Sequence, residues 1–272
     1  MNKTIAIMNE KGGVAKTTTA MHFAYLLAKK NYKILLIDYD GQANSTMNFG
    51  INQNELKWTI YELLKIIVNA EELPKCEEFI INLKENLDII PSCAKMFNLP
   101  DLLSTAYMRE ETTKLLIEYI KENKQYDYII FDTNPQLGQP MINVMTATNE
   151  IIIPCELSPN SVDGVATITN QIKNVRRGNK NLKINGILFT KVEKRTKIAE
   201  SMEQETLERI PQDENIKIYK MKIPKSVKIS EAMANFLTIN EYDKTSPCAK
   251  AYEDFVNEFL ENEKMTTCQK EV

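Results

Sequence analysis

Residues 10 to 19 read Glu10-Lys11-Gly12-Gly13-Val14-Ala15-Lys16-Thr17-Thr18-Thr19. An apolar stretch at 4–8 precedes them, which predicts a buried strand, and residues 17–30 have the length and spacing of a helix. A loop between a strand and a helix directs backbone N–H groups and the positive end of the helix dipole toward one point. The stretch therefore predicts a polyphosphate site, with Lys16 at the β- and γ-phosphates and Thr17 as a ligand of Mg²⁺.

The strict P-loop pattern asks for glycine at two positions that hold Glu10 and Ala15 in this chain. As a bare pattern the match therefore fails. Glycine adopts positive φ without strain, whereas alanine is strained if the loop requires that conformation. We expect Ala15 to be tolerated but to weaken nucleotide binding.

The rest of the chain alternates short apolar runs with longer amphipathic stretches. The runs lie at 34–37, 128–131, 151–153, 184–189 and 216–221, and further helical stretches lie at 108–123, 162–177 and 196–209. This alternation predicts an α/β fold with a mostly parallel central sheet flanked by helices, and ligands beyond the carboxyl ends of its strands. We expect a single domain over residues 1–262, a helical excursion on the sheet edge at 66–86, and a flexible polar tail at 263–272.

Acidic side chains end two of the predicted strands. One run continues into Asp38-Tyr39-Asp40-Gly41-Gln42, and another into Asp132-Thr133-Asn134-Pro135-Gln136-Leu137-Gly138. A carboxylate in this position can hold a water bound to Mg²⁺, and a second can orient the water that attacks the γ-phosphate. An aspartate after a strand often only caps the next turn. Two such segments beside the loop at 10–19 favour the catalytic interpretation.

These segments together carry a family resemblance. The loop at 11–18 resembles the deviant Walker A loop of the ParA/MinD superfamily, which has an extra lysine at the place of Lys11. Residues 38–42 resemble the second motif of that superfamily, and residues 128–132 with Pro135, Leu137 and Gly138 resemble its Walker B strand and the loop beyond. More diffuse similarity to its partition branch covers residues 86–92, 223–228 and 230–232, so that the resemblance spans most of residues 4–260.

The resemblance implies a weak ATP hydrolase that uses ATP and Mg²⁺ and forms a homodimer around two nucleotides. Lys11 would reach the nucleotide of the partner subunit, Asp40 would position the attacking water, and residues 134–138 would sense the γ-phosphate. The implied metal ligands are Thr17, Asp40 and Asp132. The implied nucleotide contacts are Lys11, Gly12, Gly13, Val14, Ala15, Lys16, Thr17, Thr18 and Pro224.

The charge of the chain is unevenly distributed. Residues 173–228 hold 15 Lys and Arg against 7 Asp and Glu, a net charge of +8, although the whole chain carries −3. A basic block is often only a solvated face, but it is also typical of DNA-binding surfaces. By resemblance, Arg195, Lys225 and Lys228 in this block would bind DNA without sequence preference, and a ParB-like centromere-binding protein would stimulate hydrolysis. Such a plasmid or chromosome partition ATPase would be cytoplasmic and associated with the nucleoid.

Two alternatives stay open. Ala15 and the altered turn after Asp132 would suit a nucleotide-binding scaffold that no longer hydrolyses ATP. A cell-division ATPase of the MinD kind would need a basic amphipathic C-terminal helix, whereas residues 253–272 hold six acidic side chains and two lysines, so we expect no membrane binding.

Five scattered cysteines without CxxC spacing predict neither a disulfide framework nor a metal site. We expect the single histidine, His22, to have a packing or capping role.

Overall fold

The computed structural model describes residues 2–136, 138–157, 161–193 and 216–268, together with positions 200, 201, 204 and 208. Its centre is a seven-stranded sheet in the order β3-β4-β2-β5-β1-β6-β7. All neighbouring strands are parallel except β3 and β4. The predicted mostly parallel α/β fold is confirmed. The strands are β1 (Lys3–Ile7), β2 (Ile34–Tyr39), β3 (Ile81–Lys84), β4 (Leu87–Ile90), β5 (Tyr128–Thr133), β6 (Glu150–Glu156) and β7 (Lys183–Thr190).

Helices flank the sheet, and three of them match the predicted helices at 17–30, 108–123 and 162–177. The predicted helix at 196–209 falls almost entirely outside the described residues. The described helices are α1 (Lys16–Lys29), α2 (Asn44–Asn48), α3 (Ile60–Val68), α4 (Cys76–Phe79), α5 (Leu99–Ser104), α6 (Thr112–Asn123), α7 (Gln139–Ala147), α8 (Ser161–Val175), α9 (Val227–Ala234), α10 (Ile239–Tyr242) and α11 (Pro247–Cys268). Short 3₁₀ turns lie at Gln53–Glu55 and Ala94–Asn98.

The central strands are buried on both faces, which explains their uninterrupted apolar runs. Successive residues of a strand point to opposite faces. Ile5 and Ile7 of β1 accordingly join an apolar cluster with α1 and α11, whereas Ala6 joins a second cluster with α6 and α7. The two helical layers hold the sheet from both sides and leave its carboxyl edge to the loops that follow β1, β2 and β5.

The expected strand at 216–221 is wrong. Ile218 forms only an isolated bridge with Ile187 of β7. The reason lies just downstream, where the backbone N–H groups of Lys220 and Met221 donate to the carboxylate of Glu258 on α11. Donors that bind a side chain cannot extend a ladder of strand hydrogen bonds.

The helical excursion expected at 66–86 is also only partly correct. Helix α3 ends at Val68 and the short α4 follows, but the segment then enters β3, which pairs antiparallel with β4 at the sheet edge. A four-residue edge strand with one exposed face has too few alternations to be recognised by its period.

The flexible tail expected at 263–272 begins as a helix in the structure. Helix α11 continues to Cys268, and Glu263 within it forms an ion pair with Lys3 at the start of β1. This contact between the two ends of the chain explains the continuation of the helix. Of the helices in the described residues, none combines the length and hydrophobicity needed to span a bilayer. The extent of the domain remains a prediction.

His22 lies in α1 and is buried. Its Nδ1 lies 2.6 Å from the carbonyl oxygen of Thr18, and its Nε2 accepts a hydrogen bond from the backbone N–H of Ile239, the first residue of α10. The ring stacks on Tyr252 at 4.5 Å between centroids. Burial lowers the pKa of His22 to about 4, so the imidazole is neutral at physiological pH. The neutral ring packs in the core and caps α10.

Candidate nucleotide site

Residues 8 to 15 join the end of β1 to the start of α1. The first turn of α1 contains no acidic side chain, and its N-cap residue, Ala15, offers no capping oxygen. The N-terminal N–H groups of α1 and its dipole therefore favour an anion at this point. The structure places the loop as predicted, at the carboxyl edge of the sheet.

The loop adopts positive φ at two residues. Gly13 has φ 81°, which glycine adopts without strain. Ala15 has φ 64° and ψ 35°, in the left-handed region. For an alanine this conformation costs about 1 to 2 kcal/mol. The loop thus requires at residue 15 the conformation that glycine would supply at lower cost.

Lys16 is buried, with 7% of its surface exposed. Its Nζ donates a hydrogen bond of 2.9 Å to the carbonyl oxygen of Lys11, so the ammonium lies under the loop. Desolvation lowers the pKa of Lys16, while the nearby carboxylates of Asp132 and Asp40 act in the opposite direction. The structure therefore brings Lys16 together with the two aspartates that were predicted from separate motifs.

Asp38 and Asp132 stand directly opposite each other in the register of β2 and β5, and both are fully buried. Asp38 is well satisfied, because its Oδ2 accepts from the backbone N–H and the hydroxyl of Thr46, each at 2.8 Å. Its Oδ1 accepts from the N–H of Asp40 at 3.2 Å. Burial nevertheless raises the pKa of the Asp38 carboxyl.

Asp132 is less well satisfied. Its Oδ2 accepts a hydrogen bond of 2.8 Å from the hydroxyl of Ser45, and the Thr17 side chain also bonds to this carboxylate. Its Oδ1 has no hydrogen-bond partner among the described residues. Burial, followed by the charge of Asp38, raises the pKa of Asp132 well above its usual range. An oxygen of this kind, beside a threonine hydroxyl, is suited to an added cation or its bound water.

The donor set fits Mg²⁺. Thr17 and Asp132 are in contact, and the buried Asp40 acts electrostatically on both Lys16 and Asp132. No group of three or more His, Cys, Asp or Glu side chains arranged for a metal occurs in the described part of the chain. Mg²⁺ commonly binds through one or two carboxylates and substrate phosphates, with water completing its shell. The predicted ligands Thr17, Asp40 and Asp132 are compatible with that mode.

A cavity of about 310 Å³ opens beside the loop. Ala15 and Thr18 line one wall, and Pro224, Val227 and Met233 line the other. Its size and largely apolar opposite wall suit a nucleoside next to the phosphate loop. Pro224, which the sequence placed among the nucleotide contacts, lies in this wall.

The sequence profile of the AAA domain family matches residues 2–184. The chain is 33% identical over 263 residues to the sporulation initiation inhibitor protein Soj of Bacillus subtilis, with 96% of this chain and 100% of that protein covered. The chain belongs to the ParA/MinD superfamily, in its partition branch.

Solved structures agree with this membership. A plasmid partition protein of Borrelia burgdorferi B31, bound to AMPPNP, is 30% identical with a TM-score of 0.76, covering 96% of this chain and 100% of that one. Cobyrinic acid a,c-diamide synthase of Mycobacterium smegmatis, with bound ADP and magnesium, has a TM-score of 0.81 at 24% identity, covering 97% of this chain and 96% of that one. The second likeness concerns the fold alone.

Of the three residues expected to bind DNA, the structure describes Lys225 and Lys228, and each of these lies in an ion pair. Lys225 Nζ lies 2.7 Å from Glu193 Oε1, and Lys228 Nζ lies 2.5 Å from Asp243 Oδ2. Arg195 lies outside the described residues, as does Leu137 of the loop predicted to sense the γ-phosphate. The two lysines are exposed, but each already has a carboxylate partner.

Asn9 and Thr190, which the motifs did not indicate, hold the ParA-type loop, and Ser92 holds the loop after β2. The buried Asn9 accepts from the N–H of Lys11 at 3.0 Å and donates to the carbonyl of Pro154 at 2.7 Å. Thr190, at the end of β7, donates to the carbonyl of Val14 at 3.0 Å. Ser92 donates to the carbonyl of Asp40 at 2.7 Å. Thr190 and Ser92 bond to residues distant in sequence, whereas Asn9 lies next to the loop. The position of Asn9 and the place of Ser92 at the end of the segment 86–92 were the available signals.

Replacing Ala15 by glycine should tighten ATP binding by about three- to tenfold, because glycine adopts the left-handed loop conformation without the strain of a Cβ. The measurement is calorimetric titration of ATP in the presence of Mg²⁺. Ala70→Gly is the matched control, since Ala70 also has positive φ, 56°, but follows α3 away from the loop. Equal or weaker binding by Ala15→Gly would refute strain as the cause.

Replacing Asp132 by asparagine should stabilise the protein and abolish Mg²⁺-dependent nucleotide binding. A carboxyl group whose pKa is raised by folding contributes most below its unfolded pKa, and that stability is lost as pH rises through the folded pKa. The gain from Asp132→Asn in urea unfolding should therefore be larger at pH 8 than at pH 5, by about 1 kcal/mol or more.

The control for this prediction is Asp38→Asn, which should be destabilising because both oxygens of Asp38 accept hydrogen bonds from the protein. A gain from Asp132→Asn that does not change between pH 5 and pH 8 would show that Asp132 carries no raised pKa.

Proposed function

We propose that this chain is a partition ATPase that binds ATP with Mg²⁺, dimerises around the nucleotides, and binds DNA in the dimeric state. The observation that carries the proposal is the buried Lys16 beside Asp40 and Asp132 at the ends of neighbouring strands. Soj of Bacillus subtilis and the chromosome partitioning protein ParA of Caulobacter vibrioides, both similar over nearly their whole length, support a role in partition.

The chemistry assigned to the site is phosphoryl transfer to water. The Lys16 ammonium would bind the β- and γ-phosphates from beneath the loop, and the N–H groups at the start of α1 would hold the remaining phosphate oxygens. Thr17 and Asp132 would hold Mg²⁺, which neutralises phosphate charge when bound. Asp40 would orient the attacking water. Its Oδ1 accepts from the N–H of Gln42 at 2.9 Å, which fixes the direction of the carboxylate.

The surface around Lys11 supports a dimer that includes the nucleotide. Gly12 and Gly13 are exposed, while Val14 and Lys16 on either side of Ala15 are buried, so the outer face of the loop is open to a second subunit. Dense phosphate charge between two subunits requires cations from both sides. Lys11 supplies such a cation at the exposed side of the loop. Hydrolysis would then remove charge that holds the dimer together.

DNA binding is proposed for the basic block that includes Lys225 and Lys228. Their present partners, Glu193 and Asp243, are carboxylates in exposed or half-exposed ion pairs. Such pairs contribute little net free energy, so the phosphates of DNA can replace the carboxylates. A ParB-like protein that stimulates hydrolysis completes the proposed cycle, which takes place in the cytoplasm on the nucleoid.

Lys11→Ala should bind ATP yet remain monomeric, because the nucleotide stays in its own subunit while the cross-subunit cation is lost. The measurement is size-exclusion chromatography with light scattering, with ATP and Mg²⁺, in an Asp40→Ala background that blocks hydrolysis. Lys30→Ala, at the opposite end of α1, should dimerise normally. An ATP-bound dimer formed by the Lys11→Ala variant would refute the role proposed for this lysine.

Combined alanine replacement of Arg195, Lys225 and Lys228 should lower affinity for every duplex tested and flatten the dependence of binding on salt, because phosphate contacts release counterions without reading bases. Fluorescence anisotropy with ATP, at several KCl concentrations and on two unrelated duplexes, measures both effects. The control replaces Lys30, Lys65 and Lys114, which lie outside the basic block. Unchanged binding by the first variant would place the DNA surface elsewhere, and no binding by the wild type would favour the scaffold alternative.

A further inference from the structure

Lys191 follows the last residue of β7 and has φ 52°, in the left-handed region. The residues on both sides of it are fixed. The Thr190 hydroxyl donates to the carbonyl of Val14 at 3.0 Å, and the N–H of Val192 donates to the carbonyl of Ile223 at 2.9 Å. A strained residue persists only where its surroundings determine it, and such residues concentrate at functional sites. The two anchors hold Lys191 between the phosphate loop and the segment that contains Pro224.

The side chain of Lys191 reaches the nucleotide cavity. Lys191 lines this cavity together with Ala15, Thr18 and Pro224. A methyl group placed on Gly13 would lie 4.0 Å from Lys191 Nζ. The ammonium group therefore lies beside Gly13, in the exposed part of the loop.

The same ammonium is held by a carboxylate. Lys191 Nζ lies 2.9 Å from Oε1 of Glu156, the last residue of β6, and the two side chains are 45% and 29% exposed. Water screens an ion pair of this exposure, so its net stabilisation is small. A nucleotide polyphosphate carries several negative charges, and a lysine side chain is long and flexible enough to exchange one anionic partner for another. The pair is therefore suited to open when phosphates enter the cavity.

We propose that Lys191 is a second phosphate-binding cation of the nucleotide site, and that Glu156 holds its ammonium until the nucleotide phosphates replace the carboxylate. The inference rests on the proposed nucleotide site but differs from the roles of Lys11 and Lys16. Lys191 contacts the nucleotide of its own subunit from the cavity side. Glu156 is a positioning residue that competes with the phosphates.

This arrangement predicts opposite effects of the two partners on ATP affinity. Lys191→Met should weaken the binding of Mg²⁺-ATP by at least about fivefold, because a charge-assisted contact is lost. Glu156→Gln should tighten it, because the competing carboxylate is removed. If Glu156 acts through Lys191, the gain from Glu156→Gln should largely disappear in the double variant. Calorimetric titration at 50 and 300 mM KCl measures all three, and the wild type should lose more affinity with salt than Lys191→Met.

A matched control exists at the other end of the same two strands. Lys183, the first residue of β7, lies 3.1 Å from Glu150 of β6 and is exposed to nearly the same extent as Lys191, at 47%. Lys183→Met should leave ATP affinity unchanged, because this pair is far from the loop. Urea unfolding of each variant separates effects on stability from effects on binding.

Three results distinguish the possible failures. If the wild type does not bind ATP, the proposed nucleotide site itself is wrong. If the wild type binds and Lys191→Met binds equally well, with the same salt dependence, Lys191 is only a structural partner of Glu156. If Glu156→Gln tightens binding to the same extent with and without Lys191, the carboxylate repels phosphate directly and the exchange is overturned.

Discussion

Two carboxyl groups placed opposite each other in a buried sheet constrain the rest of this site. Asp38 and Asp132 are direct neighbours across β2 and β5, and neither side chain reaches solvent. Carboxylates in a region of low dielectric require partners or protons. Asp38 obtains its partners from the protein, whereas Asp132 has one oxygen without any among the described residues. The difference separates a structural aspartate from one that is available to a cation.

The buried Lys16 belongs to the same group of interacting charges. Lys16 is desolvated, which lowers its pKa, yet it lies close enough to Asp132 and Asp40 to remain attracted to them. A site with buried charges of both signs is unstable relative to an apolar core of the same shape. The loops of the site must therefore be held by other means. Hydrogen bonds of Asn9 and Thr190 hold the loop after β1, and a hydrogen bond of Ser92 holds the loop after β2. Each of the three joins the site to a strand end or loop distant in sequence.

Three of the exposed lysines share one feature. Lys191, Lys225 and Lys228 each lie within an ion pair with a carboxylate on another segment. The positive charge of these three lysines is therefore partly balanced by nearby carboxylates. Glu193 belongs to the basic block at 173–228, whereas Glu156 and Asp243 come from outside it. Exchange of a carboxylate for a phosphate changes the partner of each lysine without burying a charge. The proposed binding of nucleotide and of DNA would in this way use preformed but weak ion pairs.

The sequence alone determined the strand-loop-helix at the nucleotide site, the strands that carry Asp38 and Asp132 near their ends, and the mostly parallel sheet. These features are local, because apolar runs, helical spacing and loop residues act within a few neighbours along the chain. The sequence also marked Ala15 as the unusual loop residue, but its left-handed φ became clear only in the folded loop.

Tertiary structure decided the rest. It replaced the expected strand at 216–221 by a segment bonded to Glu258, added β3 at the sheet edge, and extended α11 past residue 262. It also set the strand register that places Asp38 opposite Asp132, and it determined which carboxylate pairs with each lysine. These contacts join residues far apart along the chain. Their free energies depend on which strands become neighbours and on how deeply each charge is buried, and neither is encoded in a local pattern.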